Sequence, residues 1–153
     1  MKKFQRILIA VDETPCSDKV ISYAKEYFLS NESSIALITV VPPNSPITYG
    51  ADPLLGQQPI IVPEITEIQQ ETSEKFVQNV AQQFSASASV FTFTRVGSIK
   101  QEILEVAQEW AADLIIMGTN GRTGFDHFIS GSVSESVMRH ANCPVFIVPV
   151  SCD

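Results

Sequence analysis

Residues 6–12 form the stretch RILIAVD, a short run of branched apolar residues that stops abruptly at Asp12. Such a run is typical of a β-strand buried on both faces. Similar runs occur at 35–41 (IALITVV), 90–95 (VFTFTR), 114–117 (LIIM) and 145–150 (VFIVPV). The alternation in 90–95 favours a strand near an edge, and Pro149 is easiest to place on an edge strand or at a bulge. The sequence therefore predicts five strands.

Apolar residues with helical spacing separate these strands. Thr14-Pro15 resembles an N-cap followed by proline in the first turn, which predicts a helix over about 16–29. Three further helices are predicted between the later strands, at about 65–84, 99–110 and from 133 onward. Because strands alternate with helices, the sheet is predicted to be parallel with helices on both faces.

We therefore expect a single α/β domain over residues 1–153, a Rossmann-like, doubly wound parallel sheet with strand order 3-2-1-4-5. In that order the crevice between strands one and four opens at their carboxyl ends, where Asp12 and Gly118 would meet. Residues 42–63 do not fit the pattern, since they hold six of the nine prolines and show no period. This segment is open to two interpretations, a lid or docking loop and a mobile insertion.

Charge and composition narrow the function. Ten basic and seventeen acidic residues give a net charge of −7, which argues against a nucleic-acid partner. The apolar run at 7–11 is too short for a signal-peptide core, and no stretch approaches the ~20 apolar residues of a membrane span. Three widely separated cysteines fit a reducing compartment better than a disulfide framework, so we expect a cytoplasmic protein.

The segment from Gly118 to Ser132, GTNGRTGFDHFISGS, carries the strongest functional signal. It begins where a buried strand ends and finishes where a helix begins. Glycines would let backbone amides approach a ligand, and the helix N-terminus would offer unpaired N–H groups to phosphate oxygens. On spacing alone, glycines that only shape a tight connection explain the pattern equally well. A P-loop and a dinucleotide fingerprint are both absent from the sequence.

The pattern Gly118-x2-Gly121-x9-Gly131-Ser132 resembles the ATP-binding signature of the universal stress protein family. The flanks ADLIIM (112–117) and VMRHANCPV (137–145), the start ILIAVD (7–12) and the segment ITVVPP (38–43) are similar to that family as well. One departure is Gly97-Ser98-Ile99, where the family often has a Gly-x-Pro turn. The resemblance covers nearly the whole chain.

The resemblance implies ATP, AMP or ADP as ligand, with Mg²⁺ or Mn²⁺ bridging the phosphates. The nucleotide-binding residues would be Ala10, Val11, Asp12, Val40, Met117, Gly118, Asn120, Gly121, Arg122, Gly131, Ser132, Val133 and Ser134. Asp12 would meet a ribose hydroxyl and the residues around Ser132 the phosphates. Arg122 is added because it is the only basic residue inside the loop, although a solvated surface arginine is the alternative. The resemblance also implies a homodimer through residues 145–150.

Three functions remain open on the sequence: a nucleotide-binding stress-response module, a slow ATPase or autophosphorylating enzyme using Ser132 or another nearby hydroxyl, and a nucleotide-free interaction protein. No catalytic residue is assigned, because His127 and His140 have no partner with catalytic or zinc-binding spacing. His140 is expected near a helix C-terminus, where positive charge is favourable. Cys16 is expected to serve packing, with a redox role as the alternative.

Overall fold

The computed structural model describes residues 3–43, 63–84, 89–119 and 133–150. Along these ranges the elements are β1 (Arg6–Ala10), α1 (Cys16–Tyr27), β2 (Ser34–Val41), α2 (Pro63–Ala81), β3 (Ser89–Val96), α3 (Ile99–Glu109), β4 (Leu114–Gly118), α4 (Val133–His140) and β5 (Val145–Val148). This is the predicted order. In the described ranges, no helix is both long and apolar enough to cross a membrane.

The strands form one parallel sheet in the order β3-β2-β1-β4-β5, as predicted. β1 lies at its centre, pairing with β2 on one side and with β4 on the other. β3 and β5 are the two outer strands, which agrees with the alternation of residues 90–95 and with the proline at 149. β5 ends at Val148 and does not continue to residue 150, because the next main-chain groups on the β4 side, those of Val150, bond to the Thr119 hydroxyl instead of the β4 backbone.

Helices cover both faces of the sheet and enclose two apolar cores. One core lies between the sheet and α1 and α2, and the other lies between the sheet and α3 and α4. β1 supplies both, since Ile7 and Ile9 belong to the first core and Leu8 to the second, all at 0% exposure. A side chain of this kind stabilises the fold by roughly 1.5–3 kcal/mol when fully buried. This double burial explains why no polar residue stands between Arg6 and Asp12.

The amino-terminal edge of the sheet is closed by Asp113. Its two carboxylate oxygens accept hydrogen bonds from the backbone N–H groups of Gln5 at 2.8 Å and Arg6 at 3.0 Å. The Arg6 guanidinium in turn lies 4.5 Å from the ring centroid of Trp110 and donates from Nε to the Trp110 carbonyl at 2.8 Å. Asp113 therefore joins the entries of β1 and β4, at the edge opposite Asp12.

Candidate functional site

The carboxyl ends of β1 and β4 lie side by side, because Ile9 of β1 pairs with Ile116 of β4. The chain leaves β1 toward β2 and leaves β4 toward β5, so the two connections diverge on either side of this point. A crevice at such a reversal is the usual ligand position in open α/β sheets. The structure thus places Asp12 and Gly118 at one edge of the sheet.

An apolar wall adjoins this crevice on the face covered by α3 and α4. It is formed by four of the predicted site residues, Ala10, Val40, Met117 and Val133, which belong to one packed cluster. Met117 is buried, and the other three are partly buried. Each comes from a different element, so the fold brings together residues that lie far apart in the sequence. An apolar surface of this kind suits a flat heteroaromatic ring.

Val11 does not join that wall. Its side chain is 6% exposed and packs in the opposite core, the one under α1 and α2. Its backbone N–H donates to the carbonyl of Ile38 at 2.9 Å. The side chain and the N–H of Val11 therefore point away from the wall, because successive residues leaving a strand point to opposite faces. The assignment of Val11 as a ligand residue stays a prediction.

Asp12 is held in one orientation by a compact set of hydrogen bonds. Its Oδ1 accepts from the Thr14 N–H at 3.0 Å, from the Thr14 hydroxyl at 2.5 Å and from the Ser17 hydroxyl at 3.2 Å. Its own N–H donates to the Ser17 hydroxyl oxygen at 2.7 Å. These bonds fix the carboxylate as an Asx-type turn just after β1. The structure therefore presents Asp12 ready for a ligand.

The second carboxylate oxygen, Oδ2, is bonded to none of the described residues. Asp12 is partly exposed, so this oxygen can accept a hydrogen bond from outside the protein. An ionised carboxylate is an acceptor only, which selects a hydroxyl or an N–H donor. A sugar hydroxyl is such a group. The chemistry of Asp12 therefore agrees with the predicted ribose contact.

Sequence reasoning missed the residues that support Asp12. Thr14 was assigned as a helix cap, whereas the structure puts Pro15 at the cap position of α1 and directs the Thr14 hydroxyl to Asp12. Ser17 was given no role, although it is 5% exposed and bonds Asp12 twice. The only signal was the spacing D-x-T-x-x-S, which many helix starts share.

Two further contacts brace this edge. The Ser73 hydroxyl of α2 is 1% exposed and donates to Glu13 Oε1 at 3.3 Å, which connects α2 to the turn after β1. On the other side, the Thr119 hydroxyl accepts from the Val150 N–H at 3.1 Å and donates to the Val150 carbonyl at 3.2 Å. Thr119 thus replaces the ladder bonds that end at Val148, and it fixes the exit from β4.

The first turn of α4 completes the described part of the site. α4 begins at Val133, and the N–H groups in the first turn of a helix have no carbonyl partner within that helix. Val133 and Ser134, both predicted to contact phosphate, lie in this turn. Glu135 follows them, and its Oε1 is paired with Arg139 at 2.7 Å. That pairing reduces the repulsion that Glu135 would exert on an anion.

The remaining predicted residues lie outside the described ranges, so their assignments stay predictions. These are Asn120, Gly121, Arg122, Gly131 and Ser132, together with His127 and the unassigned segment 44–62. Within the described ranges no group of three or more metal-ligating side chains occurs. Any Mg²⁺ or Mn²⁺ would therefore have to be held through the nucleotide or by residues beyond those ranges.

The cysteines depart from the prediction. Cys16, in the first turn of α1, is 6% exposed and packs in the core as expected, but it is disulfide-bonded, which the odd cysteine count did not predict. Cys143 is a free thiol before β5. Burial, and after it the negative charge of Asp113, raises the pKa of the Cys143 thiol. Since the thiolate is the reactive form, Cys143 is a poor nucleophile at neutral pH.

His140 lies where it was expected, at the last residue of α4. Its Nδ1 is 2.8 Å from the Ser136 carbonyl oxygen, so Nδ1 carries the proton and donates. The ring therefore satisfies a carbonyl of the final helical turn, and the prediction of a C-terminal helix contact is confirmed.

The fold and the crevice define a doubly wound α/β protein with a candidate ligand site at the strand reversal. A sequence model of the universal stress protein family matches residues 3–149. The chain is also 31% identical over 151 residues to universal stress protein A homolog 2 of Coxiella burnetii, with 98% of each chain covered. The chain belongs to the universal stress protein family.

Solved structures agree with this fold. Universal stress protein UspA from Lactobacillus plantarum superposes with a TM-score of 0.74 at 20% identity, covering 97% of this chain and 99% of that one. A universal stress protein in complex with cAMP gives a TM-score of 0.62 at 19% identity, covering 97% and 98%. The universal stress protein from Archaeoglobus fulgidus in complex with dAMP gives 0.54 at 19% identity, covering 95% and 98%.

Proposed function

We propose that this chain binds an adenine nucleotide, ATP with Mg²⁺ or Mn²⁺, in the crevice between β1 and β4, and acts as a nucleotide-dependent stress-response module. The observation that carries the proposal is the fixed Asp12 carboxylate beside the apolar wall. One edge of the sheet then offers a surface for the base and an acceptor for the ribose. The complexes of two structural relatives with cAMP and dAMP support an adenine nucleotide as the ligand class.

The homodimer through residues 145–150 is part of this proposal. The carbonyl of Val148 accepts from the Thr119 N–H at 3.0 Å, so even-numbered residues of β5 face β4. Odd-numbered residues therefore direct their main-chain groups outward. Val145 and Ile147 offer an N–H and a C=O each, and Pro149 offers only a carbonyl. The ladder available to a second copy is short, so side chains beside β5 must contribute to any dimer there. A cytoplasmic location stays a prediction from the sequence.

The first test is a binding titration with Asp12→Asn. Asparagine keeps the shape and can still accept from Thr14 and Ser17, but it presents an NH₂ donor where Oδ2 was. A hydrogen bond to a charged group contributes about 1.5–3 kcal/mol, so we expect ATP affinity to fall by roughly 10- to 150-fold by calorimetry. The matched control is Asp18→Asn, which changes an exposed acid in the nearby first turn of α1 and should bind within about twofold of wild type.

Nucleotide analogues identify the hydroxyl that Asp12 contacts. ATP, 2′-deoxyATP and 3′-deoxyATP differ only in the ribose hydroxyls. If Asp12 accepts from one of them, the analogue without it should bind wild type about as weakly as ATP binds Asp12→Asn, and the two losses should not add. Equal affinity of Asp12→Asn and wild type for all three nucleotides would contradict the ribose contact.

ATP labelled on the γ-phosphate separates a binding module from an enzyme. A binding module yields neither free phosphate nor labelled protein, whereas slow hydrolysis releases phosphate and autophosphorylation transfers label to the chain. We expect binding without either product, because the described part of the crevice contains no general base with a catalytic arrangement. The assay should be run with the Cys16 disulfide both oxidised and reduced, since α1 carries Ser17 and starts at Cys16.

A further inference from the structure

The outer side of β3 is a sheet edge that no strand of the described residues covers. All eight residues of β3 pair with β2 without a bulge, and among the described residues no other strand pairs with β3. Its sequence, SVFTFTRV, contains no proline, glycine or lysine. Natural edges are generally blunted by such residues, by bulges or by shortness. β3 has none of these features.

The hydrogen-bond phase of β3 determines which main-chain groups face outward. Gly97, the residue after β3, donates its N–H to the Val41 carbonyl of β2 at 3.0 Å. In a parallel ladder, the N–H and C=O of one residue point toward the same neighbour, and successive residues alternate. Odd-numbered residues therefore face β2. The even-numbered residues of β3 direct both main-chain groups outward: Val90, Thr92, Thr94 and Val96.

The side chains along this edge are apolar, uncharged or paired with an opposite charge. Phe91 is 47% exposed and Val96 is 38% exposed, high values for large hydrophobic residues in a strand. Phe91 contacts Trp110 with ring centroids 5.9 Å apart, so it has a fixed position. The one charged residue, Arg95, is paired with Glu109 at 2.6 Å. Glu109 thus largely neutralises the charge of Arg95, which would otherwise disfavour the pairing of another strand at this edge.

We propose that β3 is a pairing surface for a second copy of this chain, joined antiparallel, edge to edge. A two-fold axis at Thr92 pairs even-numbered residues with even-numbered residues, so that the outward main-chain groups of Val90, Thr92 and Thr94 meet outward groups of the second copy. The same axis sets Phe91 opposite Phe93 of the second copy on one face and Arg95 opposite Ser89. Aromatic pairs across strands are favourable, and like charges stay apart.

The edge is complementary to itself, which favours a second copy over an unrelated peptide. An axis between two residues would set outward groups against inward ones, and an axis at Arg95 would place two guanidinium groups together. An interface of strand edges alone buries less than the ~1,000 Å² typical of a stable association, so this contact should be concentration-dependent. The proposed contact does not depend on nucleotide binding, and it lies at the edge of the sheet opposite β5.

The test is the concentration dependence of association in variants at Thr92, an exposed, outward-facing position. Thr92→Pro removes the outward N–H and leaves the ladder to β2 intact, while Thr92→Lys sets two like charges opposite each other at the axis. In sedimentation velocity, both should move the association midpoint to about tenfold higher concentration or beyond. Thr92→Val keeps the strand and should stay within about twofold of wild type. A β5 dimer would persist in all four proteins.

Residue-resolved hydrogen exchange provides the second readout and the folding control. Amides of Thr92 and Thr94 should gain protection as protein concentration rises, whereas those of Phe91 and Phe93, bonded to β2, should be protected throughout. Protection of the odd-numbered amides in Thr92→Lys shows that the sheet is intact. Association of Thr92→Pro and Thr92→Lys like wild type, or outward amides whose exchange is the same at all concentrations, would overturn the proposal.

Discussion

Replacing Ser17 with alanine removes the hydroxyl group that orients Asp12. The Ser17 side chain is nearly buried, and its oxygen both accepts from the Asp12 N–H at 2.7 Å and donates to Asp12 Oδ1 at 3.2 Å. Ser17→Ala leaves that N–H without its partner and takes one of three donors from the carboxylate. The fold and the site should therefore weaken together.

The magnitude follows from these two bonds. An unsatisfied buried N–H costs about 1–3 kcal/mol, and a hydrogen bond to a charged group contributes about 1.5–3 kcal/mol. Asp12 is partly exposed and keeps both Thr14 donors, so water and Thr14 compensate part of the loss. We expect about 2 kcal/mol in the free energy of unfolding, or a Tm lower by roughly 4–8 °C. ATP affinity should fall by about tenfold, because Oδ2 loses its fixed orientation.

Urea unfolding of Ser17→Ala and calorimetric titration with ATP measure these two effects. Ser22→Ala is the matched control, since Ser22 lies on the same helix and its exposed hydroxyl donates only to the Asp18 carbonyl at 2.8 Å. It should change stability by less than about 0.5 kcal/mol. A double-mutant cycle with Asp12→Asn then isolates the coupling. A stability loss below about 0.5 kcal/mol in Ser17→Ala, or ATP effects that simply add in the cycle, would refute the reasoning.

Three other changes test the remaining structure. Asp113→Ala should lower the free energy of unfolding by about 2–3 kcal/mol in urea, because it leaves the Gln5 and Arg6 amides unpaired; full stability would show that water replaces it. Ala111→Gly should raise stability by about 0.5–1 kcal/mol in the same assay, since Ala111 follows α3 with φ of 55°; a loss would contradict this. The rate of Cys143 alkylation, followed by mass spectrometry, should rise at a higher pH in the folded protein than in the urea-unfolded chain, because the pKa of the Cys143 thiol is raised in the fold. Any stability that this thiol contributes is present below its unfolded pKa and is lost as the pH rises through the folded value.

The strands and their order could be predicted because burial and connectivity leave few alternatives. A run such as residues 7–11 has no polar residue to expose, so both of its faces must be covered, and right-handed crossovers then restrict the order. Pro149 correctly marked an edge strand. The sequence could not show that the ladder stops at Val148 while Thr119 takes over the bonding of Val150, since that contact joins segments 31 residues apart.

The kind of site and its position in the fold could be predicted, but the residues that orient Asp12 could not. Asp12 stood out because a charged residue ends a buried strand. Ser17 and Thr14 did not, because a hydroxyl near a helix start has several possible partners, and only the path of the backbone selects one. The direction of the Val11 side chain was hidden for a related reason: a resemblance transfers a position, whereas the side-chain direction depends on where the strand ends. The disulfide at Cys16 had no signal in the spacing of three distant cysteines.

The residues described at the crevice limit which contacts can determine its affinity for a nucleotide. Its contacts are an apolar wall, one carboxylate and the first turn of α4, in a chain with a net charge of −7. In the proposed complex the wall contacts the base and Asp12 the ribose, but Asp12 and Glu135 both repel an anion. Attraction for phosphates must therefore come from the amides of α4, from the segment between Gly118 and Val133, or from a cation that arrives with the nucleotide. Nucleoside selectivity should consequently persist at high salt, where screening weakens the phosphate contribution most.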